Sequence, residues 1–474
     1  MDILTSLDFL QVGQEFPPPS QLKRLNKYRH NKQLYNKTRV IDRKSYNHIV
    51  QVMQDSWRVV PYSLMINFYR KISYKTADML FIEPPVFGAG EDDAKKETVN
   101  QVVLNSTLLD IGRQSAIDTS RYGEGVLVIT ERDGQGVITI TQPRYWFPVA
   151  DPEDLRSIKY HVLAWIGDER NTKDGREFTL TVHIHEKGSV TKYEAKLKGN
   201  LIESVKEIEA INTGLDDFAV LPVQPNLTSD SAFSDDDYTD IEDIVTEIQT
   251  RIQQIAKVLD KHAEPLLSGP ASALTLDPDT GERVMVAGGN FLMRETNDDP
   301  IVEYITWDAQ MDASFKEIEL MMNLLAIISE MGPAIFYDEV LKLGSISGRA
   351  LRMLYINALN KVARTRNAFD SVLKRGIYLA SQIGYSVTLE RDDVGIKWND
   401  GLPDDPMEKA EIGKIRLDNA PSDSVISQIM QQDGLSEEQA QEKYDQMQTE
   451  NAQNVPPLNL GGFGENIGEN NETE

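Results

Sequence analysis

The sequence predicts an α+β protein that combines an antiparallel sheet with several long helices. Short β-rich runs separated by Gly, Asp and Asn turns occupy residues 126–197. Runs with apolar residues at helical spacing occupy 234–264, 313–331 and 348–383. Strands and helices that follow one another in separate blocks are typical of the α+β class. The chain has 474 residues, enough for more than one compact unit.

Composition excludes several classes of protein. The formal net charge is −26, so tight sequence-independent binding of nucleic acid by the whole chain is disfavoured. The absence of cysteine excludes disulfides and thiolate catalysis. The chain starts without a basic stretch and apolar run, and its most apolar stretch, 321–328, is short. Neither a signal peptide nor a membrane span is therefore expected.

The first 60 residues form a basic N-terminal segment. Residues 21–58 hold ten Lys or Arg and two acids. A solvated helical surface is the preferred interpretation, and a patch for nucleic acid or a protein partner is the alternative.

Helix and strand patterns alternate in residues 61–233. One amphipathic helix is predicted over 99–119, and the glycines of Tyr122-Gly123-Glu124-Gly125 end it. Asp133-Gly134 then joins two β-rich runs as a hairpin. Three further strands are predicted over 157–166, 177–185 and 190–197, and the segment 218–226 leaves this unit.

Two helices with a shared apolar seam follow. The first, 234–264, begins with a cluster of aspartates that suits the positive end of a helix dipole. The second, 313–331, is apolar on nearly every face and is predicted to be buried on most sides. The predicted packing residues are Ile244, Ile248, Ile255, Leu325 and Ile328. The segment between the helices, 266–311, reads as turn-rich strand and contains Asp277, Asp279 and Glu282.

A sharp loop leads into the longest predicted helix. Gly332-Pro333 stops the preceding helix, and Ser347 is a good N-cap for the next one. A continuous helix over 348–383 would be roughly 54 Å long. Its bases are Arg349, Arg352, Lys361, Arg364, Arg366, Lys374 and Arg375, against one acid, Asp370. Beyond 451 the chain is rich in Asn, Gly, Pro and Glu, which predicts a disordered tail.

These elements, in this order, resemble the portal (head-to-tail connector) proteins of tailed double-stranded DNA phages. The resemblance covers residues 66–451 and is carried by the phrases "INFYRKISYKTADMLFIEPPVF", "AIDTSRYGEGVLVITERDGQGVITITQPRYWFPV", "FAVLPVQPN", "SISGRALRMLY", "LPDDP" with "KAEI", and "SDSVISQI" with "SEEQAQEKY". It implies a wing (61–233), a first stem helix (234–265), a clip (266–311), a second stem helix (312–331), a tunnel loop (332–347), a wing helix with a strand (348–395), a crown (396–450) and a tail (451–474).

The resemblance also implies a function without catalysis or cofactor. Twelve subunits would form a ring at one capsid vertex, through which double-stranded DNA is packaged and ejected. The implied partners are that DNA, the terminase packaging motor, a tail adaptor, and capsid and scaffolding proteins, with no membrane. The protein would reside in the virion, and in the host cytoplasm during assembly. Asp277, Asp279 and Glu282 of the clip would contact the packaging motor and then the tail adaptor.

The resemblance implies that DNA contacts the tunnel through Tyr337 and Lys342 of the tunnel loop and through Arg349 at the start of the next helix. An acidic bore would repel the duplex. Isolated bases on the long helix 348–383, which the resemblance implies is a helix that crosses the ring (the crossing helix), would position the duplex without binding it tightly.

Two other functions compete. A metal-dependent hydrolase would use His183 and His185, two residues apart on one strand face, with the aspartate cluster 235–243. The preferred alternatives are a solvent-facing polar stripe for the histidines and helix capping for the aspartates. No phosphate-binding loop occurs, and Gly344-Ser345-Ile346-Ser347-Gly348 fails the G-x-S-x-G pattern at Ile346. A different phage head or tail structural protein is the third hypothesis.

Overall fold

The computed structural model describes residues 3–37, 66–172, 175–263, 311–336, 352–399, 424–433 and 436–453. It also describes short strands within 266–305 and a helical turn around 411–415. Two compact units are present, the first formed by 1–344 with 352–402 and the second by 345–351 with 403–474.

The described residues of the first unit begin with four helices and a hairpin. The helices are α1 (Leu22–Asn36), α2 (Phe68–Phe81), α3 (Asp93–Asn105) and α4 (Leu108–Tyr122). The strands are β1 (Val86–Gly88), β2 (Gly125–Arg132) and β3 (Gln135–Thr141). The predicted hairpin is confirmed, because Asp133 and Gly134 both have positive φ between paired strands. Such a turn matches the twist of an antiparallel pair.

The prediction of one helix over 99–119 is wrong. Thr107 adopts a φ of 48° and separates α3 from α4. The Ser106 hydroxyl accepts a hydrogen bond of 2.9 Å from the Ile138 amide on β3, which fixes the break. The predicted end at Gly123 is confirmed. Its φ is 89°, and a Cβ there would lie 2.1 Å from the Ser234 carbonyl oxygen, so only glycine fits.

A five-stranded antiparallel sheet forms the rest of the β structure of this region. Its strands, in spatial order, are β4 (Trp146–Ala150), β5 (Ile158–Thr172), β6 (Gly175–Glu186), β7 (Ser189–Lys198) and β8 (Leu201–Asn212). The sequence indicated β5, β6 and β7 but missed β8, a largely exposed strand that contains three Glu and one Lys. Residues 13–16 hydrogen-bond to its start. The Gly13 amide donates to the Ile202 carbonyl, the Gln14 carbonyl accepts from the Ile202 amide, and the Phe16 amide donates to the carbonyl of Asn200, just before the strand.

The second half of the first unit is mostly helical. β9 (Val220–Val223) adds to β2, and α5 (Glu242–Ala263), α6 (Met311–Ile328) and α7 (Ile356–Ser381) follow. Between α5 and α6 lie the short strands β10 (Leu266–Pro270), β11 (Thr275–Leu276), β12 (Arg283–Val284), β13 (Phe291–Arg294) and β14 (Glu303–Ile305). β15 (Gly395–Lys397) pairs with β1. The second unit contains α8 (Val425–Asp433) and α9 (Glu437–Gln453), which pack together.

Three apolar clusters hold the first unit together. The largest joins α2, α4, α5, α6 and α7 to the β2–β3–β9 sheet. A second lies between one face of the five-stranded sheet and the N-terminal residues Phe9 and Phe16. A third lies between the two sheets around Trp146. The helices therefore share one core with the smaller sheet, and the larger sheet has an apolar cluster on each face.

Candidate functional site at the base of the 332–347 loop

The described residues before and after the predicted tunnel loop approach each other at Gly332 and Leu354. α6 ends in a turn where Glu330 has a φ of 58°, and Pro333 then opens a short 3-10 turn over Pro333–Ile335. A Cβ on Gly332 would lie 3.7 Å from the Leu354 carbonyl oxygen, just before α7 begins. The chain therefore leaves and re-enters this place through neighbouring residues. Tyr337, Lys342 and Arg349, like Asp277, Asp279 and Glu282, lie outside the described residues.

Buried residues fix the segment that leads into the loop. Met331 and Ile335 belong to the main core. The Phe336 ring lies 6.2 Å from the ring of Phe68 at the start of α2. Core packing and a ring contact thus hold residues 331–336 in place at the start of the loop.

A buried ion pair lies beneath this base. The Lys361 ammonium of α7 is 2.8 Å from a carboxylate oxygen of Asp237 and donates a 2.9 Å hydrogen bond to the Ser329 carbonyl at the end of α6. Both charged side chains are almost fully buried. A buried cation needs such partners, because an unpaired charge is strongly destabilising in the interior.

Hydroxyl groups connect this ion pair to α2 and α4. The Ser120 hydroxyl of α4 donates to Asp237 at 2.6 Å and lies 2.9 Å from the Ser73 hydroxyl of α2. The Ser73 hydroxyl is also 2.7 Å from the Tyr238 hydroxyl, and burial raises the pKa of Tyr238 well above its usual value. We call Ser73, Ser120, Asp237, Tyr238 and Lys361 the junction network. It ties α2, α4 and α7 to the segment that opens α5.

Four other bases of α7 contact groups of this chain. Arg364 pairs with Glu330 at the end of α6, Lys374 with Asp370, and Arg375 with Asp217. Arg366 donates to the Asn399 carbonyl. The expectation of isolated bases on the crossing helix is therefore wrong for these positions. Their physical role is to fasten α7 to its neighbours.

The predicted packing residues of α5 and α6 occupy different environments. Ile248 and Leu325 are fully buried in the main core, and Ile244 packs against that core. Ile255 is half-buried, whereas Ile328 is 43% exposed. The expectation that α6 is buried on most sides is wrong for the single subunit. Its exposed apolar residues are Phe315, Leu320, Leu324, Ile327 and Ile328.

A basic groove lies next to the base of the loop. It has a volume of about 500 Å³ and is lined by Lys37, Asn67, Arg70, Lys71, Tyr74, Lys75 and Asp78. Arg113 pairs with Asp78 at 2.7 Å, so the acid of the groove is neutralised. Lys75 lies 5.8 Å from the ring of Tyr355, the residue before α7. Exposed bases in a groove of this kind suit phosphate groups.

The residues of the proposed hydrolase do not form a metal site. No group of three metal-ligating side chains occurs among the described residues. Asp236 instead caps the helical turn at α5, where one of its oxygens accepts hydrogen bonds from the Tyr238 and Thr239 amides. The prediction of helix capping is thus confirmed at Asp236.

The interpretation of the histidines as a solvent-facing stripe is wrong. His185 is only 5% exposed and lies opposite His161 in the β5–β6 register. The His183 ring contacts the Trp165 ring edge-on, with centroids 4.9 Å apart. Burial lowers the pKa of both His161 and His185 to about 3, so they are neutral near pH 7.

Sequence reasoning missed the junction network. Lys361 looked like any other base of a long helix, and Asp237 like any other acid of a cluster. Only a contact between residues far apart in the chain distinguishes them. The one local signal was the step after Tyr122, because Gly123 lets Ser234 and the aspartates that follow it approach α4 closely.

Comparison with known proteins identifies the family. The model for "Phage portal protein, SPP1 Gp6-like" matches residues 19–456. No curated protein matches this chain. Within the described residues, no helix combines the length and apolarity that a membrane crossing needs. Because the family model covers nearly the whole chain, this protein belongs to the phage portal proteins of the SPP1 Gp6-like family.

Proposed function

We propose that twelve copies of this chain form a ring at one capsid vertex and that genomic DNA passes through its bore during packaging and ejection. Membership of the portal family supports this role, which is structural rather than enzymatic. In this proposal the packaging motor and later a tail adaptor dock on the clip, residues 266–311, and capsid and scaffolding proteins contact the ring.

The observation that supports a ring is the uncovered face of α6. Leu320, Leu324 and Ile327 are 60, 41 and 63% exposed and follow one another at helical spacing. They lie on a different side of the helix from Leu325, which faces the core. Exposed apolar stripes of this kind mark surfaces that another protein covers. In the proposed ring, the neighbouring subunit covers this stripe.

The proposed DNA contacts combine the predicted loop residues with the basic groove. Tyr337, Lys342 and Arg349 remain proposals from the resemblance, as do the clip contacts Asp277, Asp279 and Glu282. The groove adds Lys71 and Lys75 as bases near the ends of the loop. The acidic character of the chain keeps such contacts few, so the duplex can move.

Negative-stain microscopy together with native mass measurement of the purified chain tests the ring. We expect closed rings with a central channel and a mass that is an integral multiple of the subunit mass. A chain that stays monomeric at micromolar concentration, alone and with scaffolding protein, would contradict the proposal.

The clip assignment has a separate test. Replacing residues 277–282 with a short Gly/Ser turn should leave rings intact and weaken binding of the motor or the adaptor. Unchanged binding of both partners would remove Asp277, Asp279 and Glu282 from the docking surface.

A further inference from the structure

A cleft between α1 and the strands β4 and β5 is lined by aromatic rings. Its volume is about 320 Å³, within the range of small ligand sites. The rings belong to Phe16, Tyr28, Tyr122, Tyr145, Phe147 and Trp165. We call it the aromatic cleft. Its described lining shares no residue with the junction network or the basic groove, so the cleft can be tested independently of both.

The rings of the cleft differ in exposure. The Phe16 and Phe147 rings, 5.4 Å apart, are almost fully buried. The Tyr145 and Trp165 rings, 6.4 Å apart, are half-buried. Accessible rings offer a ligand a large apolar area at a low cost in conformational entropy, because an aromatic side chain has few torsions. The cleft can therefore receive an apolar or aromatic side chain from outside.

Three bases line the same cleft, and its described lining contains no Asp or Glu. They are Arg29 and Lys32 of α1 and Arg144 in the 3-10 turn between β3 and β4. All three are exposed. In a chain with 75 acids against 49 bases, a concave site lined by bases alone favours a negatively charged ligand.

The two arginines have no carboxylate partner within the described part of the chain, whereas Lys32 acts electrostatically on Asp118 of α4. The Arg144 guanidinium lies 4.7 Å from the centroid of the Tyr145 ring and donates a 2.6 Å hydrogen bond to the Tyr145 hydroxyl. A guanidinium held in this way loses less freedom when it binds a carboxylate. Arg29 and Arg144 are therefore the bases whose charge is available to a ligand.

Among anionic ligands, a peptide suits this lining better than a nucleotide or a duplex. A nucleotide phosphate is usually bound by the backbone amides of a glycine-rich turn or of a helix N-terminus. The described lining holds no glycine, and Arg29 lies in the middle of α1. A duplex needs an extended row of bases, which a cleft of about 320 Å³ cannot hold. An acidic peptide supplies separate carboxylates to guanidinium groups that lie on two different elements.

We propose that the aromatic cleft binds a linear segment of another protein, an acidic peptide that carries one aromatic side chain. The aromatic side chain packs against Tyr145 and Trp165, and flanking carboxylates pair with Arg29 and Arg144. The rings alone would accept any apolar side chain, and the arginines restrict the partner to acidic segments. This binding goes beyond the passage of DNA, because neither arginine belongs to the proposed DNA contacts.

The absence of cysteine allows a thiol-tethering test on the full chain. The variant Ile166→Cys places a thiol at the cleft, where the natural side chain is 45% exposed. The control variant is Leu104→Cys, at a side chain that is 73% exposed on α3. The probe is a synthetic peptide with one phenylalanine between pairs of glutamates and a terminal cysteine.

Mass spectrometry of the intact protein measures the fraction that carries the probe at equilibrium with mercaptoethanol. We expect the probe to stay attached to the Ile166→Cys variant at a mercaptoethanol concentration at least about tenfold higher than to the Leu104→Cys variant. Replacing the glutamates of the probe by glutamines, or its phenylalanine by alanine, should abolish this preference.

Charge exchange identifies the bases. In the Ile166→Cys background, Arg29→Glu with Arg144→Glu should abolish the retention of the acidic probe. A probe with lysines in place of the glutamates should then be retained at least about tenfold more strongly than the acidic one. Lys23→Glu, at an exposed base of α1 outside the cleft, should leave the retention of the acidic probe unchanged. Circular dichroism and thermal melting verify that each variant folds.

Three outcomes would overturn the proposal. Equal retention of the acidic and the glutamine probes would exclude recognition of carboxylates. Equal retention of the acidic probe by the two cysteine variants would show that the cleft contributes nothing to its binding. Displacement of the acidic probe by a mononucleotide or by duplex DNA, in a manner that requires Arg29 and Arg144, would assign the cleft to a nucleic-acid ligand.

Discussion

The ion pair between Lys361 and Asp237 stabilises the base of the loop. Lys361→Met removes the cation and leaves Asp237 buried without it, so we expect a loss of about 3–5 kcal/mol in the free energy of unfolding. Lys374→Met is the matched control, because Lys374 pairs with Asp370 on the more exposed side of the same helix. Its loss should be about 0.5 kcal/mol or less. Urea denaturation of both variants measures the difference, and equal losses would contradict the structural role of the junction network.

The buried carboxyl of Glu124, between α4 and β2, is expected to make the free energy of unfolding depend on pH. Burial raises the pKa of Glu124 to about 7, against a usual value of 4.5, although Arg24 and the Tyr28 hydroxyl act in the opposite direction. The folded state therefore retains a proton that the unfolded state loses. The contribution of Glu124 to the free energy of unfolding is complete below pH 4.5. It falls by roughly 1.4 kcal/mol per pH unit as the pH rises to about 7.

The variant Glu124→Gln isolates this effect. The stability of the natural chain minus that of the variant should fall between pH 5 and 7 and then level off. Taking the difference between the two proteins removes the contribution of His161 and His185, whose titration changes the stability in the opposite direction. Their folded pKa of about 3 lies below the usual 6.5, so their contribution is lost as the pH falls below 6.5. A difference that stays constant from pH 5 to 8 would exclude a shifted Glu124.

At the scale of elements, α6 has two faces with different roles. Ile248 of α5 is fully buried in the main core, with Leu325 of α6, whereas Ile327 of α6 is 63% exposed. We expect Ile248→Asp to destabilise the subunit by about 3–5 kcal/mol, because it buries an unpaired carboxylate.

Ile327→Asp separates folding from assembly. It should leave the melting temperature of the isolated subunit nearly unchanged and reduce ring formation, which size-exclusion mass measures. Rings of normal yield with Ile327→Asp would show that no subunit covers this face. A subunit that melts normally with Ile248→Asp would contradict the burial of Ile248 in the main core.

At the scale of the whole molecule, the bore must admit DNA without holding it. Each lysine–phosphate contact adds to a salt-sensitive affinity, so an acidic ring with few contacts favours movement. In the proposed ring, Lys342 recurs around the duplex, and ring and duplex symmetries need not match. Contacts through Lys342 would then be transient.

Lys342→Glu tests this role. We expect the ring and the prohead to assemble and the packaging or retention of DNA to fail, as measured by nuclease protection of the genome in particles. Lys198→Glu, in the wing sheet, is the control base and should package normally. Full-length protected genome at normal yield with Lys342→Glu would remove Lys342 from the DNA contacts.

Local signals in the sequence determined much of the fold. Asp133-Gly134 specified the hairpin, Gly123 the end of α4, and apolar seams the helices α5 and α6, because turn geometry and helical periodicity depend on neighbouring residues. The order of these elements was sufficient to indicate the portal family, which the family model confirms over residues 19–456.

Only the tertiary structure decided how the charged and polar residues are used. Lys361 pairs with Asp237 and His185 faces His161, and such contacts join parts of the chain that no local pattern connects. The strand β8 was missed because nearly all of its residues are exposed, so no apolar alternation marks it, and its pairing with β7 determines its conformation. The sequence thus determined the class, the element order and the family, while burial and long-range pairing determined which charges stabilise the base of the loop and which remain available to partners.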